Sequence, residues 1–178
     1  MAQRKQIEIT AYHEAGHAVM AMSAGFLVTE VSCQASNSGF GHTAWQMPLP
    51  MSDASRVGAV LTLASGMAAD CLHWSSLADK DEQEQLMGHN GDRLDARIHL
   101  AALSQGEVFD DYLSYSIGHL KKVDVWGHVV ALAELLKTIQ LINGLDLLNR
   151  FRQCVPSISA HELGLLKRAV DLKYGDQT

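Results

Sequence analysis

Apolar residues recur at helical spacing from about Ile7 to Ala24, and the stretch ends at Gly25, a residue suited to closing a helix. The period then changes. Leu27 to Ala35 and Gly41 to Met47 are rich in β-branched or aromatic residues, and Ser36-Asn37-Ser38-Gly39 between them is turn chemistry, so a β-hairpin is predicted. Pro48 and Pro50 close the second strand, and Ser52 or Asp53 can cap a second helix running to about Trp74. Ser75 to Gly91 is polar and acidic, which predicts a solvated loop or a short exposed helix. A third helix is predicted from near Asp92, capped by Asn90 or by Asp92 itself, with Leu94, Ile98 and Ala101 on one face. From Val123 to Phe151 the residues Trp126, Val129, Val130, Ala133, Leu136, Ile139 and Leu147 form a wide stripe at helical period. That stripe predicts a long packing helix, with Gly144 as the candidate break. Ser159 followed by Glu162 is a capping box that opens a last helix to about Leu172. The pattern predicts a mainly α fold with a small β-hairpin or sheet.

Composition narrows the setting. A chain of 178 residues, 47% hydrophobic and 19% charged, can bury one substantial core unaided, so a single domain over 1–178 is expected. A net charge of −6 leaves no basic footprint for nucleic acid or an anionic membrane. Cys33, Cys71 and Cys154 are odd in number and form no CxxC pair, which fits a reducing compartment; the cytoplasm is the expected location. Arg4 and Lys5 ahead of the apolar run Ala18 to Val28 imitate a signal peptide, but Glu8, His13, Glu14 and His17 interrupt the imitation. The run is also shorter than the roughly 20 residues of a membrane span.

His13-Glu14-Ala15-Gly16-His17 is an HExxH pattern. Residues four apart on a helix lie one above the other, so two imidazoles can reach one tetrahedral metal, for which zinc is the natural choice. Glu14 sits about 100° round the helix, where its carboxylate reaches a water activated by the metal rather than the metal itself. The plain alternative is a helix bearing two surface or core histidines. Ala15, Gly16, Ala18 and Ala21 are small, as expected where a helix passes close to other backbone. A catalytic zinc needs a third protein ligand, and the residues leave Asp70, His73, His89, Asp92 and Asp95 open. Asp92 is preferred because it follows a glycine-rich turn at a helix start, where its plain role would be an N-cap. Asp70 is a candidate for orienting a ligand histidine through its free ring nitrogen, or an ordinary helix-surface acid.

Thr10 to Val19 (TAYHEAGHAV) resembles the peptidase domain of the FtsH family of ATP-dependent zinc proteases. Gly41 to Pro48, Leu63 to Leu72 and Gly88 to Ala96 are similar to three further segments of that family, in the same order. The resemblance covers about residues 7–105; the helical part at about 106–178 follows it only in general character. It implies a zincin-like peptidase of the FtsH type, with His13, His17 and Asp92 as zinc ligands and Glu14 as the catalytic acid/base. The chain departs from the family in two ways. It carries no P-loop and no family membrane segments, so an ATP-independent peptidase-like domain standing alone is expected. Asn90 and Gly91 also replace the residues that precede the family's acid.

The expected activity is hydrolysis of peptide bonds in unfolded or flexible polypeptides. The strand at Gly41 to Met47 can accept an extended substrate by edge pairing. His42 is read as exposed, with a substrate-side hydrogen bond as the alternative; Thr43 is a candidate for the substrate side, and Trp45 is read as a core residue with a pocket wall as the alternative. His99, His119, His128 and His161 are read as structural or solvated. A homo-oligomer through the C-terminal helices and a separate ATPase are candidate partners. Two other function classes stand beside this one: a silent binding or regulatory domain that retains the metal site, and a metal-free helical interaction protein.

Overall fold

Thirteen residues of α1 (Gln6–Ser23) are buried, including every one from Thr10 to Ser23 except His13, so this helix must be lined on all sides by other elements. A computed structural model describes residues 4–35, 40–78, 90–143 and 145–175 and shows how. Helix α1 stops as its sequence predicts. Gly25 takes φ +82°, its N–H bonds Met22 O at 3.0 Å, and the Phe26 N–H bonds Ala21 O at 2.8 Å, which together make a Schellman closure.

The turn sends the chain into β1 (Leu27–Ser32), which pairs antiparallel with β2 (His42–Gln46). The two strands of the predicted hairpin are therefore present, while Ser36 to Gly39 lie outside the described residues. On its other side β1 pairs with β3 (Leu141–Ile142), giving the order β2-β1-β3 and leaving β2 at an edge. Helix α2 (Asp53–Ser76) begins where Ser52 Oγ accepts the Ser55 N–H at 3.1 Å.

Helices α1 and α2 touch backbone to backbone. A Cβ on Gly16 would lie 2.5 Å from Ser65 O and 2.6 Å from Ala69 Cβ, so only glycine fits at this crossing. Helices α3 (Asn90–Ala102), α4 (Phe109–Leu120), α5 (Val123–Ile139), α6 (Leu145–Cys154) and α7 (Ala160–Tyr174) complete the described fold. The result is mainly α with a small three-stranded antiparallel sheet. The core runs through Val19, Phe26, Leu61, Tyr112, Leu132 and Leu148. Ser159 and Glu162 form the capping box of α7.

Three expectations are corrected. Helix α3 buries Ala96 and Leu100, which lie four apart on one face, whereas Leu94 and Ile98, the apolar face predicted from the sequence, stand exposed. Helix α4 was not anticipated; Phe109, Tyr112 and Leu120 are buried along it. The predicted helix from Val123 to Phe151 is two helices, broken at Gln140, whose φ of 58° ends α5, and by the β3 pairing. Gly144, the expected break, lies outside the described residues. No helix among the described residues is long and apolar enough to cross a membrane.

Two buried polar groups hold this frame. Arg4 and Asp70, both almost fully enclosed, form an ion pair at 2.5 Å that ties the entry of α1 to α2. His119 on α4 faces Ser23 at 3.2 Å and Lys122 at 3.5 Å. Burial, then the Lys122 ammonium, lowers its imidazole to about 4, against the carboxylates of Asp124 and Glu162. An unfolded chain takes up this proton near a pH of about 6.5, so below that value it binds more protons than the folded chain. Stability from this group is therefore complete above about 6.5 and is lost as the pH falls toward 4, by up to about 3 kcal/mol. Denaturant midpoints at neutral and mildly acid pH should show a larger acid loss in wild type than in His119→Gln.

Candidate metal centre

The first turn of α3 points at the middle of α1. His13 Nε2 and His17 Nε2 are 2.9 Å apart, and Asp92 Oδ2 lies 3.3 Å from the first and 3.5 Å from the second. The four-residue spacing places the two rings on one face, edge to face, with centroids 4.5 Å apart. Helix α3 starts at Asn90, so Asp92 stands within the first turn, where the helix dipole favours a carboxylate.

His17 is fixed from behind. Its Nδ1 donates to the Thr62 carbonyl at 2.7 Å, which leaves Nε2 with a lone pair in the neutral ring. That lone pair faces the carboxylate and the second imidazole. Burial alone would lower His17, but Asp92, Glu14 and the Thr62 carbonyl outweigh it and raise the imidazole to about 9. Burial likewise would raise Asp92, yet His17 and His13 hold it well below the ordinary carboxylate range. Asp92 Oδ2 is nonetheless enclosed without a hydrogen-bond donor of good geometry among the described residues. At neutral pH His17 therefore carries a proton beside the Asp92 carboxylate, and three potential donor atoms converge on one point where a metal ion would take that proton's place.

A zinc ion fits this donor set. Tetrahedral ligands at bond lengths of about 2.0–2.1 Å stand about 3.4 Å from one another, close to the separations of 2.9, 3.3 and 3.5 Å seen here. His13, His17 and Asp92 are the one group of three or more potential ligands found among the described residues.

Glycine makes the space. A Cβ on Gly66 of α2 would fall 2.4 Å from His17 Nε2 and 2.6 Å from His13 Cε1, so α2 runs directly beneath both rings. Glu14 is buried on the neighbouring flank of α1 and is held by β2. Thr43 Oγ1 lies 2.9 Å from Glu14 Oε2 and 3.1 Å from the Glu14 carbonyl, and can donate its hydrogen to either. Gly41, just before β2, lets the chain pass close, since a Cβ there would meet Glu14 Oε1 at 2.9 Å.

These groups open into a cleft of about 870 Å³ between α1, β2 and α3. Phe40 and, on β2, His42, Thr43 and Trp45 line it, as do Asp92, Asp95, Ile98 and His99 on α3. No protein-family model and no curated protein matches this chain.

The other residues singled out from the sequence fall as follows. Asp70 is paired with Arg4 and does not line the cleft, so the ring-orienting role considered for it is filled at His17 by a backbone carbonyl. His73 stacks on Tyr12 at 3.6 Å and faces Arg4. Asp95 lines the cleft but stands outside the ligand group, and His89 lies outside the described residues. His42 is half exposed and pairs with Glu30 at 2.5 Å. Trp45 stacks on Phe26 and also lines the cleft, so both of its readings hold. His128 is half-buried with its Nε2 3.1 Å from the Cys154 carbonyl, a structural contact, and His161 is exposed. His99 departs from its expected place by lining the cleft. The roles of Thr62 and Gly66 were not read from the sequence, because a backbone acceptor and an absent side chain leave no motif.

Proposed function

We propose that this protein is a zinc-dependent endopeptidase that cleaves unfolded or flexible polypeptides, of the zincin-like type that its resemblance to the FtsH peptidase domain implies. The observation that carries the proposal is the convergence of His13, His17 and Asp92 in a cleft, with Glu14 beside them and an edge strand along one wall. Zinc held by those three residues would acidify a water and polarise the scissile carbonyl.

The chain's own residues do the rest. Glu14 takes the proton of the attacking water and returns it to the leaving amine. Thr43 fixes the Glu14 carboxylate toward the cleft instead of leaving it to sample solvent. The Thr62 carbonyl keeps His17 in the tautomer that presents Nε2 forward. Because β2 is at the sheet edge, an extended polypeptide can add to it through backbone hydrogen bonds, which suits flexible substrates of varied sequence.

The proposal includes ATP-independent action in the cytoplasm, consistent with three free cysteines. It also leaves exposed Val123, Leu145 and Leu172 on the C-terminal helices for a homo-oligomer contact, and allows a separate ATPase to unfold stable substrates. Zinc-loaded protein is expected to degrade casein, to stop when a chelator removes the metal, and to recover when zinc is restored. Undiminished cleavage after complete removal of metal would refute the assignment.

A further inference from the structure

We propose that His99 is a substrate-binding residue whose Nε2–H donates a hydrogen bond to a backbone carbonyl of the bound polypeptide, about three residues from the scissile bond. This inference rests on the peptidase reading and adds a subsite to it.

His99 lines the same wall of the cleft as Asp92, on the same helix. Seven helical residues advance about 10 Å, the span of about three residues of extended chain. The two ring nitrogens differ in their surroundings. Nδ1 is fully enclosed and has no hydrogen-bond partner among the described residues. Nε2 is not enclosed and bonds no described residue, so it is open to the cleft.

Burial, then the nearby positive charge of Arg56, lowers the imidazole, against Asp95, and keeps the ring neutral at pH 7. A neutral ring carries one N–H. Nδ1, enclosed with no acceptor among the described residues, holds the lone pair, and the hydrogen is left on Nε2, where a ligand can accept it. His99 and residues of the edge strand β2 line the same cleft, so an extended chain bound there can meet backbone partners on β2 and the His99 donor together.

The test measures binding as well as cleavage. Fluorescein-labelled casein peptides of two lengths are used: short ones that fill only the metal-proximal cleft, and long ones extended by about four residues on one side or the other. Binding is read by anisotropy on zinc-loaded Glu14→Gln protein, with and without His99→Leu or His99→Gln. His99→Leu should weaken the long peptides of one polarity roughly tenfold and leave short peptides unchanged. His99→Gln, which keeps a donor, should fall between. In the Glu14-containing protein the same change should appear in KM, with kcat within about twofold for a contact made equally in ground and transition states.

Equal affinity for every peptide in all variants would overturn the proposal, as would no binding at all. An equal loss on short and long peptides, or a loss of zinc, would also overturn it by showing an effect on the fold or the metal. If long peptides bind with the predicted dependence on His99 but wild type cleaves nothing, the subsite stands and the peptidase reading falls.

Discussion

Glu14→Gln is expected to abolish peptide cleavage while leaving zinc in place. A general base contributes about 10²- to 10⁴-fold, so kcat should fall at least about a hundredfold. The substitution is close to isosteric and keeps a side-chain oxygen able to accept from Thr43 Oγ1, so the local packing survives. Zinc should remain because Glu14 is not among the three converging ligand atoms. The pair of readouts separates three classes of function. Metal kept with cleavage lost supports the enzyme. Metal kept with no cleavage in either protein points to a silent binding domain. No metal in either would favour a helical interaction protein.

Gly66→Ala is expected to weaken metal binding while sparing the fold, an outcome that separates site from scaffold. Its Cβ would stand 2.4 Å from His17 Nε2 and 2.6 Å from His13 Cε1 and His17 Cε1. Those atoms are the far ends of side chains, so the metal-free protein relieves the collision by turning the rings aside. Once turned, they no longer share a point with Asp92. Zinc affinity should fall about ten- to a hundredfold, the loss typical when ligand orientation fails. Alanine favours the helix over glycine by roughly 1 kcal/mol, about what His17 gives up when it turns away from the Thr62 carbonyl, so metal-free stability should change by no more than about 1 kcal/mol.

The neighbouring Gly16→Ala should act in the opposite sense. Its Cβ meets the Ser65 backbone carbonyl at 2.5 Å, which cannot swing away, so the fold should lose about 1–3 kcal/mol. Zinc titration calorimetry with thermal melts of the metal-free proteins checks both. Unchanged zinc affinity in Gly66→Ala would contradict the packing described here.

What the sequence disclosed follows the range of the forces involved. The α1 boundary at Gly25, the Ser52 cap and the Ser159–Glu162 box are local and were legible. His13, Glu14 and His17 were legible because one helical turn sets their relation. Asp92 lies 75 residues beyond His17, and periodicity could not choose it over Asp70 or His73; the resemblance named it, and the fold brings it to the two rings. The face of α3 was misread because apolar Leu94 and Ile98 stand exposed, Ile98 at the cleft, while Ala96 packs inward. Gln140 in the left-handed region, the remote pairing of β3 with β1 and the Thr62 acceptor are tertiary choices with no local signature.

X-ray absorption at the zinc edge of stoichiometrically loaded wild type tests the central claim most directly. The account predicts one tightly held ion per chain, surrounded by two imidazole nitrogens and light oxygen donors at about 2.0–2.2 Å, with no sulfur. Sulfur scattering from Cys33, Cys71 or Cys154, a single imidazole, or failure to retain zinc would contradict it.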